Sequence, residues 1–480
     1  QPSLRAEWLP RLANGRELAA FAITEPGAGS NPAAIAAQAT PDGQGGWQLT
    51  GAKRWIGSGA WANIINVFAQ LYDIKGDPLG MTGFVVRQGA PGLVLGPEAL
   101  TMGLRGMVQN TLYLNGVPVG ANDILGEVGQ GLAVAQDTMM FTRLCLGAIC
   151  VGGMKRCIQL MHRYASQRTV ATGLLLDNPL SLLRISEWIA ATTALETLVT
   201  STATFLDEGR IPLAPAVLAC KVLGSELLWQ AAGALVQMLG GRGYEENNLA
   251  PQIMRDARVF RIFEGPTETL TMHLGALALT SNEVADCLTT LFDNPALAQQ
   301  IRQDGDSIQA RSMGADTPFI ERTAALNWAY SKAGEVALDA LLFAAVEQAV
   351  RRSPFASSQQ AVTWAQQRFA QARSRVIRAT PAEVARLEAA EITSFVADYA
   401  SAIGDIEQEL PGVDGEIGPR LRRTATATCR RAGVEPRADS RAAQVESAAG
   451  SAKLSQADRQ RILVEWNNTH VDFPADKCIH

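Results

Sequence analysis

The chain has 480 residues, a net charge of −5 and 47% hydrophobic side chains, enough to bury a large core in more than one domain. The absence of a long basic stripe argues against nucleic acid as a partner, and seven cysteines without CxxC spacing plus only four histidines argue against a metal site. No secretory signal is visible, charges interrupt the apolar segments before the ~20 residues a bilayer span needs, and the cysteine usage suits a reduced, cytoplasmic protein.

The chain opens on Gln1 within a helical pattern, as a piece of something longer would. From 18 to 125 short β-like runs follow, among them "ELAAFAIT", "ANIINVFAQL" and "MTGFVVRQ", separated by Gly, Pro, Asn and Asp. Such spacing predicts an antiparallel barrel or sandwich. Residues 126–280 switch to three- and four-residue apolar spacing, which predicts long helices in an antiparallel four-helix bundle. Cys150 and Cys157, seven apart in that pattern, read as small buried hydrophobes. Helical patterning persists through 281–432, where Thr380 and Pro381 form a helix start. Residues 433–453 have few large apolar side chains and read as a linker. A short amphipathic helix with a capping-box-like start at Ser455 and Asp458 is expected in 454–480.

Four stretches carry candidate chemistry. "FAITEPGAGS" (21–30) exposes backbone N–H groups at a glycine-rich turn. In "KRWIGSG" (53–59) an indole, Trp55, stands among small residues where it either joins the core or flanks a planar ligand. "QMLGGRGY" (237–244) is a helix C-cap that also lets a phosphate or adenine approach the backbone. In "RDARVFRIFEGPTE" (255–268), Glu264 follows an apolar dipeptide, and a poorly hydrated carboxylate there makes a general base; alone, it reads more readily as a solvated acid or helix N-cap.

Taken together, these stretches resemble the acyl-CoA dehydrogenase family of flavoenzymes. "EWLPRLANGRELAAFAITEPGAGSNPAAI", "WQLTGAKRWIGSGAWANIINVFA", "MGLRGMVQNTLYLNGVPVGANDILGEVGQGL", "QMLGGRGY" and "RDARVFRIFEGPTETL" stand in the family's order, over residues 4 to about 279. The resemblance implies an α+β chain. Residues 1–17 would be the last helix of an amino-terminal domain, 18–125 the middle β-domain and 126–280 the carboxy-terminal helical bundle, with 281–432 a helical extension. It implies FAD as cofactor. Phe21, Ile23, the Thr24 hydroxyl and Ser30 would contact the flavin, with Ser30 also near a phosphopantetheine arm, and Trp55, Ile56 and Gly57 would cover the ring. Gln237, Gly240, Gly241 and Arg168 would receive the adenine diphosphate half of an FAD held mainly by a neighbouring subunit, in a homodimer or homotetramer. Thr267 is assigned to the cofactor, Arg143 and Gly265 to the substrate, and Glu264 is the implied base.

The pattern departs from the family at three points. Gly57 replaces a threonine, "RTVATG" places Ala171 where an aromatic packs, and Pro266 replaces a threonine. A second resemblance lies at the end: "RILVEWNNTHVDFPADKCIH" is similar to the lead-in to a nonribosomal peptide synthetase adenylation domain. The two together imply α,β-dehydrogenation of an acyl thioester on a carrier protein or CoA, with adjacent synthetase domains as partners. An acyl oxidase and a catalytically inactive scaffold are the alternatives.

Overall fold

Alternation and turn residues dominate the first quarter of the chain, and they build a sheet whose loops carry the candidate site. A computed structural model describes residues 2–211, 213–313, 321–354, 357–379, 381–382 and 388–404. Thr380, the stretch expected as a linker at 433–453 and the 454–480 tail lie outside the described residues. Helix α1 (Pro2–Ala13) buries Leu4 and Trp8 with Ile64 and Val85. Eight strands then form one sheet: β1 (Ala19–Ala22), β2 (Gln38–Pro41), β3 (Trp47–Gly57), β4 (Ile64–Tyr72), β5 (Pro78–Arg87), β6 (Leu93–Glu98), β7 (Gln109–Val119) and β8 (Ile124–Leu125).

The order is β6-β7-β3-β2-β4-β5-β8, with β1 also on β4. The expectation of an antiparallel barrel or sandwich changes in two ways. The hydrogen-bonded path ends at β6 and β8 without closing, and both β1 and β2 run parallel to β4. The register gives the reason. Strand β1 pairs with Ile64–Val67 and β2 with Gln70–Leu71, end to end along one edge of β4. They are a single strand line broken opposite Phe68 and Ala69, where residues 23–37 leave it as a loop. A broken strand keeps its direction, whereas a hairpin reverses it.

Side chains alternate across β4. Ile65, Val67, Ala69 and Leu71 enter the core of the β-domain with Leu49, Ile56, Phe84, Leu112 and Leu114. Phe68 points the other way, to Ile23, Ala28, Ile35, Met81 and Ala135. Ala135 belongs to helix α2 (Gly131–Ala165), so the face of the sheet below the loop is also the face that docks the helical region.

After a two-strand hairpin, β9 (Thr169–Val170) with β10 (Gly173–Leu174), the chain is helical. Helix α3 (Pro179–Asp207) starts with Pro179 at its first position, and the Asn178 side chain accepts from the Leu180 amide. Helix α4 (Ala214–Leu239) stops at Gly240, whose φ of 59° ends the turn as the glycines predict. Then come α5 (Leu249–Val259), α6 (Thr267–Thr280), α7 (Glu283–Thr290), α8 (Pro295–Met313), α9 (Arg322–Arg352), α10 (Ser358–Arg378) and α11 (Ala389–Ile403). Gly147 lies against Cys220, Cys150 against Gly224 and Gly153 against Leu228, so α2 and α4 run parallel at close quarters.

Two further expectations change here. Residues 126–280 supply three long helices and two short ones, and their core continues without a break from Leu144 to Val376, so α8–α10 complete a larger body than a four-helix bundle. Helices α2 and α3 and the 214–244 segment are also long and apolar enough to cross a membrane by length and composition, so charge interruption alone does not set them apart from spans. Their apolarity follows from packing on one another: Leu144, Met154, Leu195, Leu198, Leu223 and Leu228 share one core.

Candidate functional site

The predicted residues gather into two clusters and one distant set. The first cluster is the loop 23–37 with the end of β3. Pro26 and Gly27 form a tight turn closed by Glu25 N–H to the Ala28 carbonyl at 3.0 Å and Ala28 N–H to the Glu25 carbonyl at 3.1 Å. The Arg54 amide donates to the Thr24 carbonyl at 2.9 Å, which ties the turn to Trp55. Pairing of β3 with β7 shifts register between Lys53 and Ile56, and Trp55 has a φ of 54°. That bulge turns its indole outward, 52% exposed, with the Arg54 guanidinium 4.8 Å from the ring centroid. Trp55 is therefore not a core residue. Ile56 points inward and is buried; Gly57 lies beside Gln109 and Met107. Phe21 stacks obliquely on Phe68 at 5.1 Å, Ile23 is buried and Ser30 is exposed.

The sequence reading passed over what holds this loop. Lys53 is fully buried, and its ammonium donates to Glu25 Oε1 at 2.7 Å and to the Ile23 carbonyl at 3.2 Å. Glu25 also accepts from the amides of Ala36 at 2.6 Å and Ala37 at 3.0 Å. One ion pair thus grips both ends of the loop. Burial pushes the Lys53 pKa down, against the pull of Glu25.

The second cluster surrounds Glu264. This residue sits between α5 and α6 in a left-handed conformation, φ 56°, and Gly265 follows at 98°. A non-glycine residue there is strained by about 1–3 kcal/mol and persists only where its neighbours enforce it. The enforcing contacts are polar. Thr142 donates to Glu264 Oε2 at 3.0 Å, Arg143 Nε donates to the Glu264 carbonyl at 3.0 Å, and Lys221 Nζ donates to the Gly265 carbonyl. Glu264 is half-buried. Burial pushes the Arg143 pKa down while Glu264 opposes it; burial, then the nearby Arg143, push Lys221 down to about 8. Thr267 opens α6, and its hydroxyl donates to Glu226 Oε1 at 2.9 Å, the same oxygen that receives Arg261 Nε. Thr142, Lys221 and Glu226 had not been singled out. Lysine in the middle of "AVLACKVLGSELL" was the available signal, since an isolated charge in an apolar helix has to find a partner.

Helix α2 joins the two clusters. Met139, like Phe21, packs against the cluster that contains Ile23 and Phe68, and one turn later Thr142 and Arg143 reach Glu264. On the other side, the Leu104 amide donates to Asp256 Oδ1 at 2.6 Å and brings the loop between β6 and β7, which carries Met107, onto α5.

Arg168, Gln237, Gly240 and Gly241 are exposed and gather elsewhere. Because α2 and α4 run parallel, Arg143 and Lys221 share one end of the body while Arg168 and Gln237 share the other. At 1.5 Å per residue the separation is about 24 Å along α4 and about 33 Å along α2. A surface depression of about 550 Å3 between Gln38, Tyr72 and Gly76 contains none of these residues.

This arrangement has known counterparts. Residues 20–117 match the family model "Acyl-CoA dehydrogenase, middle domain" and residues 129–279 match "Acyl-CoA dehydrogenase, C-terminal domain". The very long-chain specific acyl-CoA dehydrogenase of Bos taurus mitochondria is 28% identical over 363 residues, covering 72% of this chain and 54% of that protein. The probable acyl-CoA dehydrogenase FadE10 of Mycobacterium tuberculosis is 33% identical over 294 residues, 58% of this chain and 45% of that one. The chain spans about half the length of the curated relatives it matches. Among solved structures, butyryl-CoA dehydrogenase from Megasphaera elsdenii superposes with a TM-score of 0.55 at 28% identity, over 57% of this chain and 71% of that one. The prolyl acyl carrier protein oxidase AnaB gives 0.54 at 25%, over 57% and 72%. An acyl-CoA dehydrogenase from Bacillus anthracis, complexed with FAD, shares the fold at 0.66 and 22% identity, over 84% of this chain and 75% of that one, which takes in helices beyond α6. Residues 20–117 and 129–279 of this chain are the middle and C-terminal domains of the acyl-CoA dehydrogenase family.

Proposed function

We propose that this chain dehydrogenates an acyl thioester between Cα and Cβ with bound FAD, and that Glu264 is the base. The observation that carries the reading is the strained Glu264 turn, held on its carboxylate by Thr142 and on its backbone by Arg143 and Lys221.

The first cluster fits the ring end of FAD. A Cβ on Gly27 or Gly29 would meet nothing within 4 Å, so a planar edge can reach this backbone, beside an outward indole. The distant set fits the adenine diphosphate end, since Gly240 and Gly241 are equally open and Arg168 supplies a cation. The separation of the two sets supports a second copy as the source of the other end, in a homodimer or homotetramer. Phe141 and Ile149, exposed about two turns apart on α2, add apolar area for such an interface.

When bound, FAD supplies the acceptor for the β-hydride. The residues of the chain handle the proton. A thioester α-proton is weakly acidic, so its removal needs a placed base and a polarised carbonyl. Thr142 fixes Glu264 Oε2 and leaves Oε1 for the proton. Among the described residues nothing accepts from the Glu264 amide, which leaves that N–H for the thioester oxygen as enolate charge develops. The product is a trans-α,β-unsaturated thioester.

The substrate in this reading is tethered to a carrier protein within a nonribosomal peptide synthetase. Similarity to AnaB and the adenylation-like lead-in at 461–480 support it. Tethering raises local substrate to roughly millimolar and relaxes the need to grip an adenine. That AnaB is an oxidase also favours, as a second reading, reoxidation of the flavin by oxygen.

Glu264→Gln is expected to retain the visible absorbance of FAD and to slow its reduction by a carrier-bound acyl thioester about 10²–10⁴-fold. Reduction at the parent rate removes Glu264 as base. Equal or better reduction by the matching CoA ester removes the carrier, and a parent chain without flavin absorbance points to a scaffold.

A further inference from the structure

Lys221 moves no proton in the chemistry derived so far, yet it is 1% exposed in one of the most apolar helices of the chain. Its ammonium is not spent on a carboxylate. It donates to the carbonyl of Gly265, while Arg143 donates to the carbonyl of Glu264, so two cations hold consecutive carbonyls of the left-handed turn. The turn has little other support from its side chains. Gly265 has none, and a Cβ there would press on Leu270 at 2.7 Å.

We propose that Lys221 is a positioning residue for Glu264: by pinning the Gly265 carbonyl it holds the strained turn in the one conformation that presents the carboxylate to the thioester. This rests on Glu264 being the base. Arg143 alone fixes one peptide plane and leaves the next free to rotate, which would release the left-handed geometry and swing the carboxylate off Thr142. A charge-assisted bond to a carbonyl is about twice as strong as a neutral one, so the protonated amine is the effective form. The groups facing Lys221 are Arg143 and Cys150 on α2, Glu226 on α4 and Glu264 on the turn. Burial is the largest influence and sets its proton loss at about pH 8.

An isosteric apolar replacement therefore separates positioning from stability. Burial disfavours the charged form of Lys221, so its removal offsets the loss of the bond to the Gly265 carbonyl, and strained active-site devices are where stability and activity trade against each other. In the full chain loaded with FAD, Lys221→Met is expected to melt at or above the parent temperature. Hydrogen exchange across 263–268 should rise about tenfold or more, and flavin reduction by a butyryl-pantetheine thioester should fall about 10–100-fold with the KM unchanged. The parent should lose reduction rate above about pH 8, and the variant should lack that limb. Parent-like exchange and rate in a folded Lys221→Met overturn the proposal. Should that variant fail to fold, Lys221→Arg, which keeps the cation, must retain the slow exchange of the turn, and the parent must show the alkaline limb; missing either overturns it as well. A Glu264→Gln variant that reduces at the parent rate instead removes the base on which the proposal stands, so the two failures are distinct.

Discussion

Lys53 has no exposed side-chain surface, and what it holds explains why a loop of 15 residues keeps its place in a broken strand line. Its contacts reach the Ile23 carbonyl at one end, and through Glu25 the Ala36 and Ala37 amides at the other. An ion pair with so little water gains its stability from the full set of donors and acceptors, not from the Coulomb attraction alone. Lys53→Met leaves the Glu25 carboxylate buried with only two amides and is expected to cost about 3–5 kcal/mol, read as a lower denaturation midpoint. Glu25→Gln combined with Lys53→Met removes both charges and should recover part of that loss. The double variant should still bind FAD less tightly, because the two ends of the loop that carries Pro26 and Gly27 are no longer clasped together. A double variant no more stable than Lys53→Met would show that the pair is not the clasp.

Between α6 and α9 the backbones touch. A Cβ on Gly275 would collide with the Tyr330 carbonyl, and one on Gly334 with the Thr271 carbonyl, so both positions require glycine for close approach. Since α6 begins at Thr267, directly after the Glu264 turn, this crossing ties the extension to the site. Gly334→Ala is expected to destabilise by about 3 kcal/mol, the upper end for overpacking, and to weaken protection of amides in both helices. Unchanged stability would mean that α9 merely leans on α6. The same elements show what a sequence makes legible. The "TEPGAGS" turn, the helix stop at Gly240 and the apolar burial of Cys150 and Cys157 follow from local residue chemistry, and each could be read directly. Strand direction could not, because a loop cut out of a continuous strand looks like any turn between two strands. Nor could the role of Gly275 and Gly334, since glycine in a helical pattern signals weakness until the partner backbone is known. Trp55 faces outward because of a register shift, and shifts depend on the neighbouring strand.

Across the whole helical body, one continuous core collects thiols from three helices: Cys150 and Cys157 on α2, Cys220 on α4 and Cys287 on α7, all buried. Burial pushes the first three from an ordinary value of 9.0 to about 12 and raises Cys287 as well. Above pH 9 the unfolded chain therefore releases thiol protons that the folded chain keeps. The folded state then binds more protons than the unfolded one, and stability falls as pH rises. Each thiol contributes a slope of up to about 1.4 kcal/mol per pH unit. Lys221 acts in the opposite sense. Its folded value near 8 lies below its ordinary 10.5, so between those limits the unfolded state holds the extra proton and stability rises with pH. From pH 8 to 9 Lys221 offsets other alkaline losses, and Lys53, which burial also pushes down, acts in the same sense; above 9 the four thiols outnumber the two lysines. The denaturation midpoint of the full chain should accordingly hold to about pH 9 and drop steeply by pH 10.5. Cys157→Ala should be less stable than the parent at pH 8 because of the lost volume, yet decline less steeply above pH 9. A variant whose midpoint falls in parallel with the parent from pH 9 to 10.5 would show that the thiols ionise freely in the fold, and that the core between α2 and α4 admits water.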